Sequence, residues 1–321
     1  MTANQLMYLV FGIVIVLALV LDLGLLSKKN TEISIKKATI QTAFWVTLAL
    51  GFGIFLWWGE GRTVALEYIS AYLMEWSLSI DNIFVFILIF TFFNIHSTHV
   101  ARALLIGIIM AILFRVVFIT VGVALVERFS WILYIFGAFL VYTGFKIFTV
   151  RHQDEFNPAD SPVYKFLNRF LPIIQEDISG KLSVKRNGKR YFTNMFVVIV
   201  MLATTDIVFA LDSIPAVFAI VTESKQKELI IYTSNIFAVL GLRSLFFLLK
   251  GAVAKFAYLQ QGIATVLIFI GAKMLLGIVG LFGVEHVPHV PVTVSLLVIV
   301  ICLAGSIVYS IQVARRNDAN M

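Results

Sequence analysis

Two pairs of acidic residues stand inside long apolar runs of this chain. Asp206 and Asp212 lie six residues apart in TTDIVFALDSIPAVF (204–218), and Glu75 and Asp81 have the same spacing in EWSLSIDNIFVF (75–86). An ionised carboxylate at bilayer depth costs about 2.5 kcal/mol or more on insertion scales, so such groups usually line a polar pathway inside a bundle. Six residues of ideal helix give about 9 Å of rise and about 240° of rotation. The two acids of one helix therefore cannot share an ion unless the helix breaks. Pro215, just after Asp212, could supply a break where the segment lines a cavity. The simpler arrangement puts Glu75 near Asp206 and Asp81 near Asp212.

That arrangement rests on an internal repeat. Glu75 matches Asp206, Asp81 matches Asp212, Asn82 matches Ser213 and Ile83 matches Ile214, all at an offset of 131. AILFR ending at Arg115 pairs with VLGLR ending at Arg243, and Gly144-Phe145-Lys146 pairs with Gly271-Ala272-Lys273. Matches among Leu, Ile, Val and Phe are common by chance, but ordered matches of Asp, Glu, Arg and Lys are not. Each copy spans three apolar runs, an odd number, so the second enters the membrane from the opposite side. Secondary transporters are often built this way, with their sites near the midplane between the copies.

The donor set of Glu75, Asp81, Asp206 and Asp212, with Asn82, Ser213, Ser79, Thr204, Thr205 and backbone carbonyls able to complete it, is all oxygen. It suits a hard divalent cation such as Mn²⁺, Mg²⁺ or Ca²⁺. The acids could exchange protons for the metal. Exporting a doubly charged ion against an inside-negative potential costs about 4.6 kcal/mol per 100 mV, so a coupling ion is required, with protons the default. The competing reading pairs the acids with Arg115, Arg243, Lys146 and Lys273 as buried salt bridges that hold helices together. Four acids in two symmetric pairs favour the ion pathway, and the basic residues are assigned to structure and charge balance. Asp22, in the first apolar run, is a further candidate ligand or proton relay; its nearness to Lys28 and Lys29 makes interfacial exposure an equal alternative. His286 and His289 have ligand-like spacing between two prolines and read as an ordinary loop. No phosphate-binding loop, nucleophile–base triad or zinc motif is present.

The elements that hold these residues read as membrane spans. Of 321 residues, 60% are apolar and 13% charged, whereas soluble domains carry about a quarter charged. Nine apolar runs, near 5–26, 38–58, 66–93, 102–125, 131–150, 193–221, 228–249, 259–281 and 291–313, can each cross a bilayer of about 30 Å. The expected fold is an all-α polytopic bundle. It would comprise two N-terminal helices (1–62), a first triplet (63–150), a cytoplasmic loop (151–191), a second triplet (192–282) and a last helix with a short tail (283–321). The first run is too long for a signal-peptide core and is followed by Lys28 and Lys29, so it should stay as a span.

With the N-terminus outside, the inner connections carry 17 Lys and Arg and the outer ones only Arg62, Arg128, Lys225 and Lys227. This bias puts the C-terminus in the cytoplasm. The net charge of +7 comes from residues between apolar runs rather than on one basic face, which argues against nucleic-acid binding. Cys302 is the only cysteine, so thiolate metal sites and internal disulfides are excluded. Within 151–191, a short amphipathic helix is expected near 161–171 and a tight turn at Asn187-Gly188; the rest reads as a solvated loop.

At SLSIDNIFVF (77–86), ILYIFGAFLVYTGFK (132–146), TDIVFALDSIPAVFAI (205–220) and YTSNIFAVLGLRSLFFLL (232–249), the chain closely resembles the TerC family, and within it the Alx branch of bacterial inner-membrane proteins. The resemblance implies a multi-span inner-membrane protein associated with manganese efflux, and historically with tellurite resistance and pH-responsive expression. It also brings forward Glu75, Asp81, Asp206, Asp212 and Asp22 as the family's intramembrane acids. The expectation is a Mn²⁺ exporter exchanging protons, with no organic cofactor and no enzymatic step, its oligomeric state and protein partners left open. Two rivals stand beside it: a membrane partner that assists insertion or metalation of exported proteins without transporting, and an intramembrane aspartyl protease.

Overall fold

A bilayer offers no partner to a backbone N–H or C=O, so a run of 20 apolar residues satisfies itself as a helix. The described residues of each of the nine runs do so in a computed structural model, which describes residues 3–21, 33–129, 131–149, 158–174, 180–186, 188–222, 224–250, 258–281 and 290–319. The helices are α1 (Ala3–Leu21), α2 (Ile35–Glu60), α3 (Arg62–Phe92), α4 (Ser97–Arg128), α5 (Ile132–Thr149), α6 (Pro162–Phe170), α7 (Asn194–Ile220), α8 (Lys227–Leu249), α9 (Leu259–Leu281) and α10 (Val292–Ala319). Among the described residues, seven of these are long and apolar enough to cross a membrane: α2, α3, α4, α7, α8, α9 and α10. The apolar helical stretches Met7–Val20 in α1 and Ile132–Phe148 in α5 are shorter. The protein is a multi-pass helical membrane protein.

The helices of the first triplet, α3 to α5, run antiparallel to those of the second, α7 to α9, and specific contacts show it. At one end the Asn194 side chain, opening α7, donates to the carbonyl of Phe93 at the close of α3 (3.1 Å). At the other end Glu67, early in α3, accepts from the backbone N–H groups of Thr222 (2.7 Å) and Ser224 (3.2 Å), just past α7. Thr120 late in α4 meets Tyr232 early in α8 at 2.6 Å. The last pair, α5 and α9, cross backbone to backbone. A Cβ on Gly271 would lie 2.6 Å from the Gly137 carbonyl oxygen, and one on Gly144 would lie 2.8 Å from that of Ala264. Lipid tails are as apolar as leucine, so helices in a membrane gain by close approach at small residues.

Helix α8 is the innermost span and α10 the most exposed. Phe11, Phe52 and Phe237 pack ring to ring at 5.4–5.6 Å, and the Tyr68 hydroxyl beneath them donates to the carbonyl of Ala49 (3.0 Å). Trp58 and Trp131 are exposed at helix ends, as expected of side chains at a membrane–water boundary.

Two local expectations come out differently. Pro215 lies inside α7, which continues to Ile220, so Asp206 and Asp212 stay on one continuous helix. The connection read as a solvated loop with one short helix, which is α6, also holds strands among its described residues. Its described residues form α6 and a three-stranded sheet, β1 (Ile173–Ile174), β2 (Ser183–Arg186) and β3 (Lys189–Thr193), in the order β1-β3-β2. β2 and β3 pair antiparallel on either side of Gly188, whose φ of 75° suits a tight turn. Tyr164 of α6 packs its ring 5.4 Å from that of Phe93, which fixes α6 against the α3–α4 turn.

Candidate functional site

Four helices each send one polar side chain to a common point in the bundle. Glu75 comes from α3, Arg115 from α4, Asp206 from α7 and Asn235 from α8, and all are buried at 2% exposure or less. Each sits near the middle of its helix, about as far from water as the span allows. The Arg115 guanidinium binds Asp206 side-on, with Nε to Oδ2 at 3.0 Å and Nη2 to Oδ1 at 3.1 Å. Its remaining nitrogen, Nη1, donates to Glu75 Oε1 and to Asn235 Oδ1 at 2.8 Å. The planar fork of arginine matches this geometry, in which two carboxylates and one amide are held by a single cation.

Glu75 and Asp206 come together across the triplets through one group, in the buried ion pairing that the competing reading gave these acids. That group is Arg115, which the sequence reading had assigned to charge balance. With both acids ionised the trio carries one net negative charge in a dry interior. The cluster and the turns beside it on α3 and α7 are also short of hydrogen bonds. Glu75 Oε2, Asn235 Nδ2 and the hydroxyls of Ser77, Ser79 and Ser213 are buried with no hydrogen-bond partner among the described residues. Most buried polar groups in native proteins are paired, and a half-satisfied network in a low dielectric is costly. The oxygens among them, of Glu75, Ser77, Ser79 and Ser213, are hard donors of the kind that hold Mn²⁺, Mg²⁺ or Ca²⁺.

Asn82 and Ser213 are buried as expected at bilayer depth, and Thr204 bonds back to the carbonyl of Val200 in its own helix (2.8 Å). The side chains of Asp81 and Asp212, and Asp22, His286 and His289 entire, lie outside the described residues. Among those described, no group of three or more His, Cys, Asp or Glu is gathered as a metal site. Of the other matched cations, Arg243 is buried, Lys146 is exposed, and Lys273 donates to Ser295 Oγ at 3.2 Å.

Asn235 and Glu67 were not picked out from sequence. Asn235 sits in SNIF, two turns before Arg243, and a polar residue in so apolar a run was the available signal. A narrow cavity lies beside Asp206, lined by Phe86, Leu104, Gly107, Leu202 and Val239. Among its described lining residues, Asp206 alone is charged. At the far end of α7 a wider recess is bordered by Glu127, Ser224, Lys225, Lys227 and Glu228, next to the segment whose N–H groups Glu67 holds.

Comparison with known proteins identifies the chain's relatives. Residues 60–318 match the integral membrane protein TerC family. The chain belongs to the TerC family. An uncharacterized membrane protein of Rickettsia felis is 42% identical over 304 residues, 95% of this chain and 97% of its own length. One from Myxococcus xanthus is 40% identical over 301 residues, 94% of this chain and 90% of its own. The Escherichia coli protein Alx, whose name offers the role of membrane-bound redox modulator, is 37% identical over 317 residues, 96% of this chain and 95% of its own. No solved structure matches the chain. TerC membership covers α3 to α10 and so includes every residue of the buried cluster.

Proposed function

We propose that this TerC protein is a secondary transporter of the bacterial inner membrane that exports a divalent cation, Mn²⁺, from the cytoplasm in exchange for protons. The observation that carries the reading is the convergence of Glu75 and Asp206, one from each triplet, at a buried point between antiparallel helices. Acids at that depth are costly, and those kept in membrane spans characteristically face the bundle interior and mark ion or proton pathways. The expected cargo site is Glu75, Asp81, Asp206 and Asp212 with Asn82 and Ser213, and Asp22 as an auxiliary group. Hard oxygen donors favour a hard cation, and the family resemblance favours manganese among them.

The packing supports two inverted copies. Gly137 and Ala264, and Gly144 and Gly271, correspond at an offset of 127, and the α5–α9 crossing joins Gly137 to Gly271 and Gly144 to Ala264. Exchanging the copies maps these two contacts onto each other. Such a pair of units can rock about the site between them. The charge bias puts the N-terminus outside and the C-terminus inside, so the recess at the end of α7 is the outer mouth. Among the described residues, no nucleophile–base arrangement supports an enzymatic role. A redox role of the kind in the E. coli relative's name would need a partner group in this chain, since Cys302 cannot form an internal disulfide. In inverted membrane vesicles carrying the protein, Mn²⁺ uptake should follow an imposed proton gradient and be lost in Glu75→Gln. Uptake that ignores both would remove the reading.

A further inference from the structure

We infer that Arg115 is a tethered counter-ion which the transported cation must displace from Glu75 and Asp206, so that the guanidinium sets the affinity of the site and drives release by returning to it. This rests on the transport reading above and names how that site is regulated. Three oxygens of the two acids are already held by Arg115, Oδ1 and Oδ2 of Asp206 and Oε1 of Glu75, which leaves Glu75 Oε2. A divalent ion on the same acids would face the guanidinium across shared oxygens. Repulsion scales with the product of the charges, twice that between two single charges at equal distance, and a buried location screens it little. Both cations cannot hold these acids together.

The arrangement gives Arg115 somewhere to go. Asn235 Oδ1 accepts from Nη1 at 2.8 Å and carries no charge for the ion to take. A guanidinium that keeps this bond and releases the carboxylates remains partnered within the membrane. The position matching Asn235 in the first triplet, at the offset of 128 that relates Arg243 to Arg115, is Gly107. The retreat therefore exists on one side only. Gly107 instead lines the narrow, largely apolar cavity beside Asp206.

A purely structural bridge makes the opposite prediction. If Arg115 only ties helices together, its loss loosens the acids and weakens ion binding. If it competes with the ion, its loss tightens binding and slows release. The test uses the purified full chain, with Mn²⁺ binding measured calorimetrically and Mn²⁺ flux measured in liposomes, for the native protein, Arg115→Gln and Asn235→Ala. Arg115→Gln should bind Mn²⁺ about tenfold more tightly, within the usual range for coupled binding events, with KM and maximal flux both falling. Asn235→Ala should move in the opposite sense, because losing the retreat keeps Arg115 on the acids: binding weakens by about threefold, a smaller share of the same coupling. Equal or weaker binding by an Arg115→Gln protein that melts like the native one overturns the inference. Should Arg115→Gln not fold, unchanged or tighter binding by Asn235→Ala overturns it instead. A native protein that neither binds nor moves Mn²⁺ defeats the transport reading itself, whatever the variants do.

Discussion

The two triplets meet in two unlike ways. Where α5 crosses α9, glycines let backbone lie on backbone at Gly137, Gly144 and Gly271, with only the apolar side chains of Val141, Ile268, Met274 and Leu275 packed around them. Where α3, α4, α7 and α8 meet, the contact is made by charge: Glu75 and Asp206 on Arg115, with Asn235 beside them. The first is the ordinary way to gain stability in lipid, where dispersion between close helices replaces the hydrophobic effect. The second is an expensive way to hold helices together, because buried ion pairs often gain less than well-packed apolar residues would. A bundle with a cheap solution at one crossing has no structural need for a costly one at the other. That contrast is the strongest physical reason to assign the charged centre to function.

Substitutions can break the contrast, and their expected effects differ in size. Asp206→Ala removes the bidentate partner of a buried guanidinium; losing one partner of a buried pair costs roughly 3–5 kcal/mol, read as a large fall in melting temperature in detergent. Gly271→Val drives a side chain into the Gly137 carbonyl, and overpacking of this kind costs about 1–3 kcal/mol. The part of this variant that folds should keep its Mn²⁺ binding, since neither Glu75 nor Asp206 lies at this crossing. Normal stability for Gly271→Val would show that the α5–α9 contact is looser than described, and the contrast would lose one of its sides. The smallest effect belongs to Lys165→Ala, which breaks the exposed pair with Asp160. Surface pairs contribute little, and the change should stay within about 0.5 kcal/mol.

Most of the helical architecture was legible in the sequence, because hydrophobic run length is set by bilayer thickness and survives any rearrangement of neighbours. Helix ends were less so. α4 begins at Ser97 with His96 as its cap, accepting from the Thr98 N–H, while the apolar run begins near 102. Helices extend past the hydrocarbon region wherever their polar ends find partners. The strands β1 to β3 were missed, since Ser183–Arg186 is short and charged and its pattern is that of a loop.

Within the candidate site, the meeting of Glu75 with Asp206 followed from matched acids at a fixed offset. The role of Arg115 did not, because which of Arg115, Arg243, Lys146 and Lys273 turns inward depends on helix rotation, and near-uniform apolar helices encode rotation weakly. Lys146 is exposed and Arg115 buried, although both lie in apolar runs. Asn235 was invisible for a related reason: one uncharged polar residue in a membrane helix usually serves as packing glue.

The central claim is that carboxylates from the two triplets carry a divalent cation through this TerC protein. It is tested most directly by Mn²⁺ flux into liposomes holding only the purified chain, comparing the native protein with Asp206→Asn and Glu75→Gln. The account predicts flux that depends on a pH gradient in the native protein and falls to the level of protein-free liposomes in both variants. Undiminished flux in both, or no flux in a folded native protein, would contradict it.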